Sequence, residues 1–321
     1  MILLANEVVV FLFLEAVLLI LLSVALVNTL TILKSWDFSS TTPAQYALEK
    51  RAYLVVLVIL GTLFFKILLL PFFSHTVDQL AAIVPGAMCG AGVIESNGYG
   101  PVLLLLKVVI LFLAGIWLIA NHEDLQAEDH PHLHAKFRFF LLIYAAVALE
   151  SALDWLYLTN ISTLTPVQCC SGIYGAAGSG NPLPFGLDTN MLLMLFYLLF
   201  ALVVVLGLMR YNFLHLLTSA AFLYFGYFAV VYFFGTYVYE LPTHKCPFCM
   251  LQKEYYYVGY LIWGSLFAGT FFGVAGFVLR ILLGKDVGYT QRWAVAFHSI
   301  FVITCSLYVG LFYLRNGVLL T

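Results

Sequence analysis

Five of the six cysteines stand in three short polar stretches of an otherwise hydrocarbon chain. They are Cys89, the adjacent pair Cys169 and Cys170, and the two of Cys246-Pro247-Phe248-Cys249. Thiols gathered in this way exchange disulfides through mixed-disulfide intermediates, or hold soft ions such as Cu(I). A C-x-x-C spacing serves either use, closing a small disulfide or clamping one ion. His244 and Lys245 directly precede the pair, and the next span begins shortly after it. Positive charge and a helix N-terminus both favour a thiolate. Adjacent cysteines close only a strained, easily reduced ring, so Cys169 and Cys170 are read as labile, as paired elsewhere, or as facing an ion. Glycines flank Cys89 and let its backbone approach another loop. Met88 and Met250 set thioethers beside thiols, which suits copper. The plainer alternative is that all five cysteines staple outer loops in an oxidising compartment. Their odd number then leaves at least one thiol outside such a bridge. Cys305, within the last apolar run, reads as a small buried residue.

The elements that carry these residues must lie in lipid. The chain has 321 residues, 63% hydrophobic and 9% charged, against roughly 25% charged in soluble domains. A bilayer core needs roughly 20 apolar residues per helix, and long unbroken apolar runs point to helices rather than a barrel. The expected fold is all-α and polytopic, one helical transmembrane domain over 1–321. Eight spans are expected near 8–33, 52–73, 101–121, 138–160, 190–209, 213–239, 255–281 and 293–314. Met1 to Asn6 shows no basic signal-peptide region, so the first run is expected to be a retained helix.

Alternate linkers carry Lys34, Lys50, Arg51, Lys136, Arg138, Arg210, Arg280, Lys285 and Arg292, and the opposite set only Lys245, Lys253 and Arg315. The positive-inside rule then places both termini and all three cysteine-bearing linkers, 74–100, 161–189 and 240–254, on the outer side. The expected location is a prokaryotic cytoplasmic (inner) membrane, with cysteine loops facing the periplasm.

The longer string Cys246-Pro247-Phe248-Cys249-Met250-Leu251-Gln252-Lys253 resembles the disulfide bond formation protein B family of quinone-linked thiol oxidases. The family has C-x-x-C at the outer start of a helix, then two residues, then Gln or Glu and a basic residue. The resemblance implies that Cys246 and Cys249 pass electrons to a bound quinone, with Gln252 and Lys253 beside it. It covers about fifteen residues. The family usually has Arg at the basic position, four helices rather than eight, and a second redox pair in one loop, where this chain has Cys169 next to Cys170.

Five ionisable residues fall inside spans, where charge is costly and a function is the default expectation. They are Glu15, Lys66, Lys107, Glu150 and Asp154. At about 1.5 Å per residue, Lys66 lies about 22 Å above Arg51, and Glu150 and Asp154 about 18 and 24 Å above Arg138. All five are expected in the middle-to-outer bilayer, beneath the thiol loops, as ion pairs between helices or as a polar cavity passing protons or an ion. Glu150 and Asp154 share one helix face. His215 and His298, on different spans at similar depth, could ligate haem b, although hydrogen-bonded histidines are the commoner use. His122, His130, His132 and His134, with Glu123, Asp124, Glu128 and Asp129, could bind a divalent ion or form a solvated loop. His75 stands too isolated to read.

The leading expectation is a membrane thiol–disulfide redox protein that passes electrons from outer-face cysteines to membrane quinone. Cys89, Cys169, Cys170, Cys246 and Cys249 are its reactive thiols, and a periplasmic thiol protein is its partner. One alternative is copper-type transport or metal loading through Cys89, Met88, Cys169, Cys170, Cys246, Cys249 and Met250. Another is an integral membrane subunit of a respiratory or maturation complex, with structural disulfides. A net charge of -2 gives no case for nucleic acid. No Walker, Rossmann, serine-hydrolase or zinc-protease motif occurs, and no internal repeat points to an inverted-repeat transporter.

Overall fold

The computed structural model describes residues 2–37, 42–127, 130–167 and 183–320. Cys169 and Cys170 lie outside the described residues, as do Glu128 and Asp129. Eight helices are long and apolar enough to cross a membrane. They are α1 (Asn6–Ser35), α2 (Pro43–Leu80), α3 (Tyr99–Leu125), α4 (Leu133–Thr159), α5 (Thr189–Met209), α6 (Asn212–Tyr239), α7 (Val258–Leu283) and α8 (Tyr289–Asn316). No strand occurs among the described residues. The protein is therefore all-helical, with a multi-pass membrane arrangement as its natural setting.

The chain divides into two compact units, each with four of these helices. Unit 1 is Met1–Pro85 with Val93–Pro166, and unit 2 is Gly86–Gly92 with Val167–Thr321. In unit 1, α1 packs on α2, α2 on α3, α3 on α4, and α4 closes back on α1. In unit 2 the same ring runs α5, α6, α7, α8 and back to α5.

The core of unit 1 includes Leu22, Ile59, Trp117, Phe137 and Phe140, all fully buried. In unit 2 Phe196 sits at the centre, its ring 5.2 Å from Phe222, 5.1 Å from Phe234 and 5.8 Å from Phe301. Apolar side chains such as Phe13, Leu105, Leu142 and Ile303 face outward. Lipid is the medium in which that outward face carries no penalty.

Local sequence explains the ends that matter. Thr42 caps α2 through its hydroxyl, which accepts from Gln45 N, and Pro43 occupies the first turn, where its missing N–H costs nothing. The short link between α5 and α6 turns at Arg210, in the left-handed region at φ 59°, while Tyr211 N donates to Leu206 O at 3.2 Å. That bond ties the last turn of α5 and lets α6 start at once.

Candidate functional site

Unit 2 gathers three thiols from two distant loops. Cys89 belongs to the segment Gly86–Gly92, which turns at Gly86 with φ 82°. Cys246 lies in the loop after α6, and Cys249 opens a single 3-10 turn, Cys249–Leu251. Cys89 Sγ is 3.3 Å from Cys246 Sγ across 157 residues of sequence. All three sulfurs lie within 4.8 Å of one another. Cys89, Cys246 and Cys249 are buried, at 0%, 2% and 8% exposure. A disulfide has its sulfurs about 2.05 Å apart, so Cys89 and Cys246 stand in contact without a covalent bond between them.

Aromatic donors fix the C-x-x-C turn. Tyr239, at the end of α6, donates its hydroxyl to Cys246 O and accepts from Met250 N at 3.1 Å. Trp263, on α7, donates Nε1 to Pro247 O at 3.1 Å. A π turn at Val230–Phe234 precedes Tyr239 in α6. Such a turn shifts the register of every side chain beyond it and is frequent near functional sites. Gly259 lets α7 meet the turn: a Cβ there would stand 2.6 Å from Met250 Cγ and 2.8 Å from Met250 C.

His244 completes the surroundings. Its ring centroid is 4.2 Å from that of Tyr239, and its Nε2 is buried with no hydrogen-bond partner among the described residues. Burial lowers the His244 pKa below the ordinary imidazole value, and the nearby Cys89 thiol pulls it part of the way back. Burial raises the Tyr255 hydroxyl above its usual range, with Cys249 and Glu254 adding to it. The arrangement sets three sulfurs in mutual reach, with the His244 imidazole in electrostatic reach of Cys89.

Several expectations for this loop change. The long helix α7 begins at Val258, so two 3-10 turns, Cys249–Leu251 and Lys253–Tyr255, separate the thiols from its N-terminus. Helix-dipole effects fade within one turn, so α7 does not activate Cys249. Lys245 places its ammonium 5.2 Å from the Tyr232 ring centroid, a cation–π contact. Lys253 is exposed and Gln252 half-buried in the turn that follows the thiols. Met88 is 75% exposed, whereas Met250 is buried against Gly235 and Gly259. Cys305 is buried in the core of unit 2.

Unit 1 brings all five intramembrane charges into one network. Lys66 Nζ is 2.5 Å from Glu15 Oε2 and 2.6 Å from Glu150 Oε2. Lys107 Nζ is 2.7 Å from Glu150 Oε1, 2.9 Å from Asp154 Oδ2 and 3.6 Å from Glu15 Oε1. The Phe11 and Phe73 ring centroids lie 4.9 and 4.7 Å from the same ammonium. Each of the four helices contributes at least one member, so the network ties the bundle together.

The histidines divide by unit. His215 and His298, on α6 and α8, are fully buried; both ring nitrogens of His215 and Nδ1 of His298 lack hydrogen-bond partners among the described residues, while His298 Nε2 meets Thr270 Oγ1 at 3.4 Å. Glycines let neighbouring helices reach their rings: a Cβ at Gly269 would stand 2.8 Å from His298, and one at Gly207 3.1 Å from His215 Nε2. In the α3–α4 hairpin, Asp124 takes Lys136 Nζ at 2.6 Å and accepts from His132 N at 2.8 Å. His122 contacts Gln126 at 3.0 Å. Asp124 therefore serves as the hairpin's internal anchor.

Sequence reasoning missed Tyr239 and Trp263 as supports of the thiol turn. Their polar ends find partners only once the loop folds back. Compared with known proteins, the chain matches no family model, no curated protein and no solved structure.

Proposed function

We propose that unit 2 is a thiol–disulfide exchange centre that passes electrons from an outer-face thiol donor through Cys89 to Cys246 and Cys249, and on to membrane quinone. The observation that carries this reading is the 3.3 Å contact between Cys89 Sγ and Cys246 Sγ. With Cys246 and Cys249 oxidised to a disulfide, the Cys89 thiolate attacks Cys246 Sγ, and His244 Nε2 takes the thiol proton. A Cys89–Cys246 bond forms, the Cys246–Cys249 bond breaks, and Cys249 leaves as thiolate. Cys89 is fully buried at rest, so its loop must open before a donor thiolate attacks Cys89 Sγ and frees Cys246. The donor keeps the new bond to Cys89 until its own second thiol closes a donor disulfide. Two electrons have then reached Cys246 and Cys249.

Quinone accepts those two electrons with two protons, and the Cys246–Cys249 disulfide re-forms. Exposed Lys253, Tyr256 and Tyr257, in the turns that follow Cys249, offer a cation and aromatic faces for a quinone ring. The resemblance of this segment to the disulfide bond formation protein B family supports the same assignment, and the four-helix make-up of unit 2 matches that family's helix number. The bias of basic residues supports an orientation with these thiols on the outer side, and we assign the membrane as a prokaryotic cytoplasmic one. The test is quinone reduction by a dithiol donor. Cys249→Ala abolishes it, and full retained activity in that variant sinks the proposal.

The convergence of three sulfurs within 4.8 Å favours a second reading, soft-metal binding. Two thiolates on one ion at about 2.3 Å stand about 3.8 Å apart in tetrahedral geometry. Cys89 and Cys246, at 3.3 Å, would have to part by about half an ångström to share an ion in that geometry. Copper that stays bound at one equivalent through purification, and is lost in Cys89→Ser, would reverse the preference.

A further inference from the structure

Unit 1 confronts three carboxylates with two ammonium groups in one buried network. Glu15, Glu150 and Asp154 hold oxygens within 4.8 Å of one another, and Lys66 and Lys107 are the cations paired with them among the described residues. With every group ionised, one negative charge is uncancelled. The groups face each other from every helix of the bundle: Glu15 on α1, Lys66 on α2, Lys107 on α3, Glu150 and Asp154 on α4. Tyr157, one turn beyond Asp154, is committed elsewhere, its hydroxyl donating to Val93 O at 3.0 Å. An isolated buried charge is costly enough that the group neutralises instead, and carboxylates that share a site cannot all ionise easily.

The geometry singles out one carboxylate. Glu150 is paired with both lysines, and Glu15 lies near both. Asp154 meets Lys107 alone, through Oδ2. Its Oδ1 is buried with no hydrogen-bond partner among the described residues, on a side chain 1% exposed. Beside the network is a cavity of about 10 Å³, lined by Glu15, Lys66, Ile67, Lys107 and Glu150 among others. That is room for about one water. Pro71 lies inside α2 and has no N–H, so the carbonyl of Ile67, a residue that lines the cavity, lacks its helical donor.

We propose that this network is an intramembrane proton-binding site that holds one exchangeable proton at Asp154. The proton sits on the Asp154 carboxyl, and leaves to water as hydronium when the carboxylate forms. Proton uptake and release at membrane depth is the chemistry of relays and of proton-coupled steps. The ligand is the proton itself, and metal cations are the competitor that the test separates.

The test is infrared titration of the full-length protein in lipid, read in the stretching region of protonated carboxyls. Wild type shows a protonated carboxyl that disappears as pH rises. Asp154→Asn loses it. Glu15→Gln loses it too, because two carboxylates then balance two lysines and Asp154 ionises. Lys66→Met adds a second. Should Asp154→Asn fail to fold, the wild-type titration and Glu15→Gln still decide. Absence of a titrating carboxyl in wild type overturns the proposal, as does a signal that survives in Glu15→Gln. Loss of the signal on adding Na⁺ or K⁺ at constant pH also overturns it, in favour of a cation site.

Discussion

Cys89 Sγ touches Cys246 Sγ at 3.3 Å, although 157 residues separate them in the chain. The contact is made within unit 2, because the segment Gly86–Gly92 belongs with α5–α8 rather than with the spans that flank it in sequence. Loop closure over such a length costs conformational entropy that other contacts must offset. The buried Tyr239, the Trp263 bond to Pro247 and the close fit of Gly259 against Met250 supply them.

Tyr239→Phe removes the hydroxyl that bonds Cys246 O and Met250 N. A buried Met250 N–H and a buried carbonyl are then left without that partner, a loss of about 1–3 kcal/mol. Thermal unfolding in detergent should show lower stability, and maleimide should label Cys246 faster in the folded protein. Unchanged stability and labelling would mean that the hydroxyl does not hold the turn.

Lys107→Met deletes the ammonium that meets Glu150 and Asp154 and lies near Glu15. Breaking a buried ion network by removing one partner costs about 3–5 kcal/mol. Denaturant or thermal unfolding should show that loss, partly recovered by Glu15→Gln in the same chain. The double variant removes one carboxylate along with the ammonium.

His244 gives a pH dependence of definite sign. Its folded-state pKa is lowered by burial, so the unfolded chain binds a proton at higher pH than the folded one. The stabilisation is fully present above about 6.5, the unfolded value, and is lost as pH falls through the lower folded value. The same protonation removes the proposed proton acceptor for Cys89. Thiol–disulfide exchange should therefore slow as pH drops through that range. His244→Asn should flatten the difference and slow exchange at neutral pH by about 10²-fold or more.

The spans were largely legible because lipid imposes a length of about 20 apolar residues on every crossing helix. Ends were less so. Helix α2 runs from Pro43 to Leu80, well past the expected 52–73, because the Thr42 cap and the polar turns at both ends are helical without being apolar. At α7 the reverse holds. Tyr256 and Tyr257 adopt left-handed φ of 54° and 57°, which aromatic residues seldom signal, so the helix starts later than 255.

The ionisable members of the unit 1 network were legible from composition alone, since charge inside an apolar run stands out. Which lysine meets which carboxylate was not, because it depends on the rotation of four helices about their axes. For the thiols, residue type marked Cys89, Cys246 and Cys249 as candidates. Nothing in the spacing joined the first to the other two. Tyr239 reaches the turn from beyond a π turn at Val230–Phe234, whose offset breaks the helical register from which its direction would be read.

The most direct measurement is to trap the exchange intermediate. In Cys249→Ser, the thiolate that would attack Cys246 and expel Cys89 by internal return is gone. Mild oxidation should then give a Cys89–Cys246 disulfide, seen by mass spectrometry as one peptide pair lost on reduction. The account predicts that this bond dominates, and that Cys89→Ser abolishes it. Absence of the pair under conditions where both sulfurs are oxidised would contradict exchange between Cys89 and Cys246.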